Sequence, residues 1–304
     1  MQSLNLIFRT CYIWFTFTRP KTLIASIMPI VSAVPIAAGY NPDYSLLRGS
    51  YFLGIALLLQ IACNFNNDYY DFRRGSDRSD RIGPKRVLQL NLVKPIQVKY
   101  AIFSSFGLAL ILMVYLAVVT HYAVLIVGVI SVAVAYWYTG GNYPLAYHGW
   151  GEVAAFVFFG PVIVYAAVFI MAGTFIPIFF PTTMIAISYG FFAYMLIAIN
   201  NLRDVTADKT SRKQTLTVRY GRVFTVYSIY ASLVWIAIMT ALLGYYEKNN
   251  VILYGIPVLT VIGGFFYLGN IGRYAPARLN NVLGRVGVLM TAYTGILTIT
   301  LFMA

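Results

Sequence analysis

Residues 49–77 read GSYFLGIALLLQIACNFNNDYYDFRRGSD. Residues 49–67 carry no charge, which is enough chain for one helix to cross a hydrocarbon core about 30 Å thick. Asp68, Asp71 and Asp77 follow at once, with Arg73 and Arg74 among them. An apolar span that ends in a polar, acidic face sets both the fold class and the place to look for chemistry.

The same alternation runs through the rest of the chain. Of 304 residues, 60% are hydrophobic and 10% charged, against about 25% charged in a soluble domain. Disorder, a secreted disulfide scaffold and an ordinary cytosolic fold are excluded by that balance. A net charge of +13 suits nucleic acid in a polar chain, but a nucleic-acid binder is not this apolar. Cys11 and Cys63 give neither a disulfide framework nor zinc spacing. Uncharged runs fall at 22–42, 49–67, 100–151, 153–202, 223–246, 249–272 and 286–304. The third is too long for one span and divides near His121; the fourth divides between Gly173 and Pro181. The expectation is an all-α integral membrane protein of nine transmembrane helices, a single domain over residues 1–304.

Lysine and arginine orient those spans. Arg9, Arg19 and Lys21 precede the first; residues 73–99 hold eight basic residues and 203–222 six; Arg273, Arg278 and Arg285 follow the eighth. Only Arg48 and Lys248 fall on the other side, a split of 20 to 2. The N-terminus is therefore expected in the cytoplasm and the C-terminus outside. No cleavable signal is expected, because the first span starts after Lys21 without a small-residue cleavage site. The stretch from Leu4 to Phe15 reads either as an interfacial helix or as an extension of the first span.

Five of the nine acids lie in two segments, 64–77 and 200–208, at the cytoplasmic ends of the second and sixth spans. If the helices continue, Asn64, Asp68 and Asp71 share one face, as do Asn200, Asp204 and Asp208. Carboxylates with amide oxygens suit Mg²⁺, which takes one or two carboxylates together with substrate phosphates. Arg73, Arg74, Arg78 and Arg81 follow the first cluster, and Arg203, Lys209, Arg212, Lys213 and Arg219 surround the second. Such cations suit a departing pyrophosphate. Isolated acids such as Asp43 and Asp80 read as solvated loop residues.

These segments resemble the two aspartate-rich motifs of the UbiA-type intramembrane prenyltransferase superfamily, which has nine helices with the motifs closing the second and sixth. Within it the chain is similar to the menaquinone-pathway branch, which prenylates 1,4-dihydroxy-2-naphthoate. The likeness runs from Arg19-Pro20-Lys21-Thr22-Leu23 through Tyr138-Thr139-Gly140-Gly141, Pro144-Leu145-Ala146-Tyr147 and Gly149-Trp150-Gly151-Glu152. It continues through Phe159-Gly160-Pro161 and Lys213-Gln214-Thr215-Leu216-Thr217-Val218-Arg219. The chain departs from the wider superfamily at Gly75, where Asp is usual and where the branch instead carries the acid as Asp77; it also has Asn142, Trp150 and Arg212 where the usual residues are Pro, Leu and Gly.

The resemblance implies transfer of a polyprenyl chain from polyprenyl diphosphate to 1,4-dihydroxy-2-naphthoate, with loss of carbon dioxide, giving demethylmenaquinone. It implies a multi-pass protein of the bacterial cytoplasmic (inner) membrane, with Mg²⁺ as cofactor and no nucleic-acid partner. Asp68, Asp71, Asp77, Asp204 and Asp208, with Asn67, are the expected metal ligands. Asp71, Asp204, Lys213 and Glu152 are the expected catalytic residues. Substrate contacts are expected from Asn64, Asn67, Arg19, Lys21, Arg73, Tyr138, Tyr147, Asn200, Asn201, Arg203, Lys209 and Arg219. Tyr69, Tyr70, Tyr138, Tyr143 and Tyr147 can line an allylic carbocation with ring faces. Glu152, the acid inside the middle spans, or His148 can orient the acceptor. Other acceptors, 4-hydroxybenzoate or homogentisate, are alternatives. So is a transporter, since intramembrane acids also mark ion pathways, although transporter sites sit near the midplane and these acids sit at one face. Chain length of the prenyl group and oligomeric state are not legible in the sequence.

Overall fold

The computed structural model describes residues 2–75, 82–83, 86–174, 180–247 and 251–303. Asp77, expected among the metal ligands, lies outside the described residues, as does Lys248. The described residues are all helical or irregular, with no strand among them. That is what a bilayer demands, because a helix satisfies its own backbone hydrogen bonds where water cannot. The helices are α1 (Gln2–Phe17), α2 (Ile24–Tyr40), α3 (Leu46–Arg73), α4 (Pro95–Val119), α5 (Ala123–Trp137), α6 (Gly151–Val157), α7 (Ile163–Ala172), α8 (Phe180–Thr210), α9 (Leu216–Tyr246), α10 (Val251–Leu268) and α11 (Pro276–Met303).

Among the described residues seven helices are long and apolar enough to cross a membrane, with α6 and α7 counted as one. An eighth forms if the pair Phe8–Thr22 and Ile24–Tyr40, bent by 55°, is taken together. The 15 residues of α5 are apolar but fall short of that length; at 1.5 Å per residue they rise only about 22 Å. The divisions expected near His121 and between Gly173 and Pro181 are both real breaks, the first between α4 and α5, the second between α7 and α8.

α8 is the central post. Of its most apolar stretch 67% is buried, against 22% for α3 and 28% for α4. Tyr189, Phe192, Met195 and Ile199 of α8 are fully buried among α2, α7, α9 and α11. Hydroxyls tie these helices across the apolar core: Tyr189 bonds Ser32 of α2 and, at 2.7 Å, Thr294 of α11, while Thr240 of α9 bonds Tyr293 at 2.9 Å. Large apolar side chains face outward elsewhere, with Val118 81% and Phe266 80% exposed. Water would penalise such a surface and lipid does not.

One close approach sets the height of α6 against α8. The helix running from α6 to α7 takes a π-helical turn over Phe158–Val162, around Pro161, whose ring nitrogen has no proton to donate. There Gly160 lies so near α8 that a Cβ would come 2.5 Å from the Ala186 carbonyl and 2.7 Å from Gly190 Cα. No larger residue fits. The consequence is felt at the start of α6, where Glu152 meets Asn201 of α8.

Candidate active site

α3 does continue past its apolar run, carrying Asn64, Asp68 and Asp71 along one face to its end at Arg73. Both acids are buried, Asp68 at 2% and Asp71 at 5% exposure. A buried carboxylate must be paired, and these are. Asp68 is bound by Arg19, and Arg86 Nε stands 3.1 Å from its Oδ1. Asp71 receives Arg86 Nη1 at 2.8 Å on Oδ2 and the Tyr147 hydroxyl at 2.7 Å on Oδ1. Arg86 also donates to the Asn67 carbonyl at 3.0 Å. Asn67 Oδ1 accepts from Thr139 at 2.7 Å, and Asn66 donates to the Tyr136 carbonyl at 2.7 Å. The loop after α5 is thus fastened to the acidic helix end. Arg74 adds to this, donating to the carbonyls of Thr139 and Gly141 and lying 4.8 Å from the Tyr147 ring centre.

The second cluster ends α8. Asp204, with 18% of its side chain exposed, is held by Arg203 through two contacts of 2.8 and 2.6 Å, and Arg203 also reaches Asn280 at 2.8 Å. After Thr210 the chain reverses in a Schellman turn: the Lys213 N–H bonds the Asp208 carbonyl at 2.8 Å, and Arg212 takes a left-handed φ of 58°. Glycine is the usual residue in that conformation, so the departure at Arg212 falls on a strained position. The turn returns Lys213 to its own helix, with Nζ 3.6 Å from Asp208 Oδ1 and 5.7 Å from the Tyr147 ring centre. Burial works against the Lys213 ammonium, but Asp208, Asp71 and Asp204 outweigh it and raise it above the ordinary lysine value. The following residues dock on the other loop: Gln214 N–H donates to the Tyr147 carbonyl at 2.9 Å, and Arg219 to the His148 carbonyl at 2.8 Å. Gly221, with a φ of 86°, then bends α9 away.

One cleft joins the two clusters, lined by Asp71, Arg86, Tyr147, Asp204, Asp208 and Lys213. Asp208 Oδ2 is buried there without a hydrogen-bond partner. Among the described residues no three His, Cys, Asp or Glu side chains stand ready to enclose a metal by themselves. The donor set fits Mg²⁺ in the form it commonly takes with phosphate substrates, one or two carboxylates supplemented by phosphate oxygens. The orphaned Asp208 oxygen, beside Asp71 and Asp204, is the atom such an ion would satisfy.

The structure brings Asp71, Asp204, Asp208, Lys213 and Tyr147 to this cleft and sets Asp68 behind it through Arg86. Other expected residues serve elsewhere. Asn64 donates to the Thr18 carbonyl at 3.0 Å, joining α3 to the hinge after α1, and Asn200 turns back to Leu196 of its own helix at 3.0 Å. Asn201 donates to Glu152 Oε1 at 2.7 Å; Glu152 is 1% exposed, and its Oε2 is buried without a hydrogen-bond partner. Tyr138, whose hydroxyl lies near Gly151, is pushed well above the ordinary phenol value by burial, with Cys63 and Glu152 adding to it. Lys21, Arg73, Lys209 and Arg219 are exposed and outside the cleft lining. Tyr143 is 63% exposed and stacks on His148 at 3.5 Å, so neither of these two enters the cleft. Arg86 lines the cleft but was not singled out from the sequence. It lies beyond a loop, at no helical interval from Asp71, and one basic residue among eight gave no signal.

A bundle of apolar helices with paired acidic helix ends meeting at one polar mouth defines an intramembrane enzyme class, and the chain belongs to it: residues 26–283 match the UbiA prenyltransferase family. Among curated relatives, the 1,4-dihydroxy-2-naphthoate octaprenyltransferase of Mycobacterium tuberculosis is 35% identical over 208 residues, 68% of this chain and 70% of the relative. The protein of the same name from Escherichia coli is 36% identical over 220 residues, 69% of each chain. The fold is similar to a UbiA homologue of Archaeoglobus fulgidus solved with DMAPP and Mg²⁺, with a TM-score of 0.66, 16% identity, and coverage of 96% of this chain and 99% of that one. An Aeropyrum pernix homologue superposes with a TM-score of 0.68 at 13% identity, covering 90% and 96%.

Proposed function

We propose that this chain transfers a polyprenyl group from polyprenyl diphosphate to 1,4-dihydroxy-2-naphthoate. The allylic C–O bond breaks and pyrophosphate leaves. A ring carbon of the acceptor then bonds the allylic carbon, and the carboxylate at that carbon departs as carbon dioxide. No electrons are exchanged with a third party, so the product forms at the quinol level of demethylmenaquinone. The observation that carries this reading is the single cleft in which Asp71 of α3 and Asp204 and Asp208 of α8 meet Arg86 and Lys213. Relatives bearing the name 1,4-dihydroxy-2-naphthoate octaprenyltransferase support the choice of acceptor.

Each residue then has a task. Asp71, Asp204 and Asp208 would hold Mg²⁺, which when bound would supply positive charge to a departing pyrophosphate. Lys213 and Arg86, both cations in a cleft of low exposure, hold the diphosphate and stabilise it as it departs. The ring of Tyr147, flanked by Arg74 and Lys213 in the cleft, is the aromatic face assigned to shield the allylic carbon from water. Glu152, fixed by Asn201 and buried outside the cleft lining, is assigned to the acceptor side of the site. The prenyl tail dissolves among apolar helices while the diphosphate stays at the polar mouth. This division favours one domain over residues 1–304, with nine crossings that include α2 and α5, the N-terminus in the cytoplasm, and residence in the bacterial inner membrane. The basic excess of 20 to 2 supports that orientation.

The test is to replace Asp71 and, separately, Asp204 by Asn and to measure Mg²⁺-dependent prenylation in proteoliposomes. Loss of activity in both is expected. Near wild-type rates in both would remove the metal assignment.

A further inference from the structure

Arg86 occupies the place that the first aspartate pair was expected to give to a metal. Its guanidinium spans both carboxylates, 2.8 Å from Asp71 Oδ2 and 3.1 Å from Asp68 Oδ1, and is anchored on the Asn67 carbonyl at 3.0 Å. Arg86 is 7% exposed, and Asp68 has Arg19 as a second cation. Asp68 and Asp71 are therefore both compensated by the protein itself. Asp208, although paired with Lys213, keeps Oδ2 buried without a hydrogen-bond partner. Arg86 also lines the cleft, so a diphosphate entering it meets the same guanidinium.

A divalent cation and a guanidinium repel each other strongly at such spacing, and the repulsion is poorly screened where exposure is this low. The planar fork of Arg matches phosphate oxygens as well as it matches carboxylates. We propose that Arg86 is a resident counter-cation that keeps metal off Asp71 until a prenyl diphosphate draws the guanidinium away, so that metal and diphosphate bind as a coupled pair. The inference rests on the metal assignment above and adds an order to it: metal alone binds poorly. Because such coupling is reciprocal, the metal must favour the diphosphate by the same factor. Arg86 also meets the diphosphate, so its effect on the metal is read from metal binding without turnover.

The experiment follows Mn²⁺ by electron paramagnetic resonance on the purified full-length protein in detergent, with thermal unfolding as the control for folding. Without any diphosphate, Arg86→Gln is expected to bind Mn²⁺ at least tenfold more tightly than wild type, whereas Arg86→Lys, which keeps the charge, stays near wild type. Unchanged or weaker Mn²⁺ binding by Arg86→Gln overturns the proposal. Asp71→Asn in the Arg86→Gln background must abolish the gain; if the gain survives, the metal assignment itself is wrong. The wild type supplies a second measurement that needs no substitution. Geranyl diphosphate and Mn²⁺ should each tighten the other's binding to the protein at least tenfold beyond their association in solution, and additive binding overturns the proposal.

Discussion

Replacing Tyr147 by Phe removes one oxygen and leaves the ring. That oxygen donates to Asp71 Oδ1 at 2.7 Å, on the side of the carboxylate away from Arg86. The ring keeps its place beside Arg74 and Lys213, at 4.8 and 5.7 Å, and the backbone keeps the Gln214 contact. The variant should therefore fold, with an unfolding temperature lowered by only a few degrees. A hydrogen bond to a charged group contributes about 1.5–3 kcal/mol. At about 1.4 kcal/mol per factor of ten, the carboxylate's loss of orientation lowers kcat/KM by roughly ten- to a hundredfold. The Mg²⁺ concentration for half-maximal rate should rise with it, because the hydroxyl fixes the oxygen that meets the ion. The assay is initial-rate prenylation in proteoliposomes across a Mg²⁺ series. A rate within twofold of wild type at every Mg²⁺ concentration would refute the reasoning that Asp71 is aimed by Tyr147.

Other outcomes follow from single contacts. Arg212→Gly should raise thermal stability, since relief of a left-handed side chain amounts to about 1 kcal/mol, read as a shift of roughly 2 °C for a chain of this size; activity should not fall. Gly160→Ala forces a methyl against the Ala186 carbonyl at 2.5 Å, so both unfolding temperature and prenylation should drop as α6 moves off α8. Lys213 has its ammonium value raised, so its stabilising contribution is complete below the unfolded value and lost only as pH rises through the folded one. The activity profile should accordingly show no inflection from Lys213 up to about pH 10, while Lys213→Met lowers the rate at every pH. Chelation of divalent ions should abolish activity, and Mg²⁺ should restore it.

The legible part of the site was the part that obeys helix geometry. Asn64, Asp68 and Asp71, and Asn200, Asp204 and Asp208, stand at helical intervals, and both helices do run on through them. Intervals do not tell an amide that meets substrate from one that fastens the fold. Asn64 caps the hinge at Thr18 and Asn200 bonds its own helix, because a buried amide takes the nearest carbonyl. What loops decide stayed hidden. Arg86, the Arg74 contacts at Thr139 and Gly141, and the Gln214 contact at Tyr147 depend on how three loops fold together. The breaks between helices were legible in the charge-free runs but the number of spans was not, since seven or eight of the described helices are long enough to cross and α5 falls short. Glu152 was visible as an isolated acid; its partner Asn201 depended on the Gly160 approach.

The central claim is that the cleft joins a prenyl group to a naphthoate and expels its carboxylate. The most direct measurement supplies the reconstituted protein with Mg²⁺, one polyprenyl diphosphate, and either carboxyl-labelled 1,4-dihydroxy-2-naphthoate or 4-hydroxybenzoate. The account predicts prenylation of the naphthoate with one labelled carbon dioxide released per transfer, and little reaction of the benzoate. Preference for the benzoate, or a prenylated naphthoate that keeps its carboxylate, would contradict it.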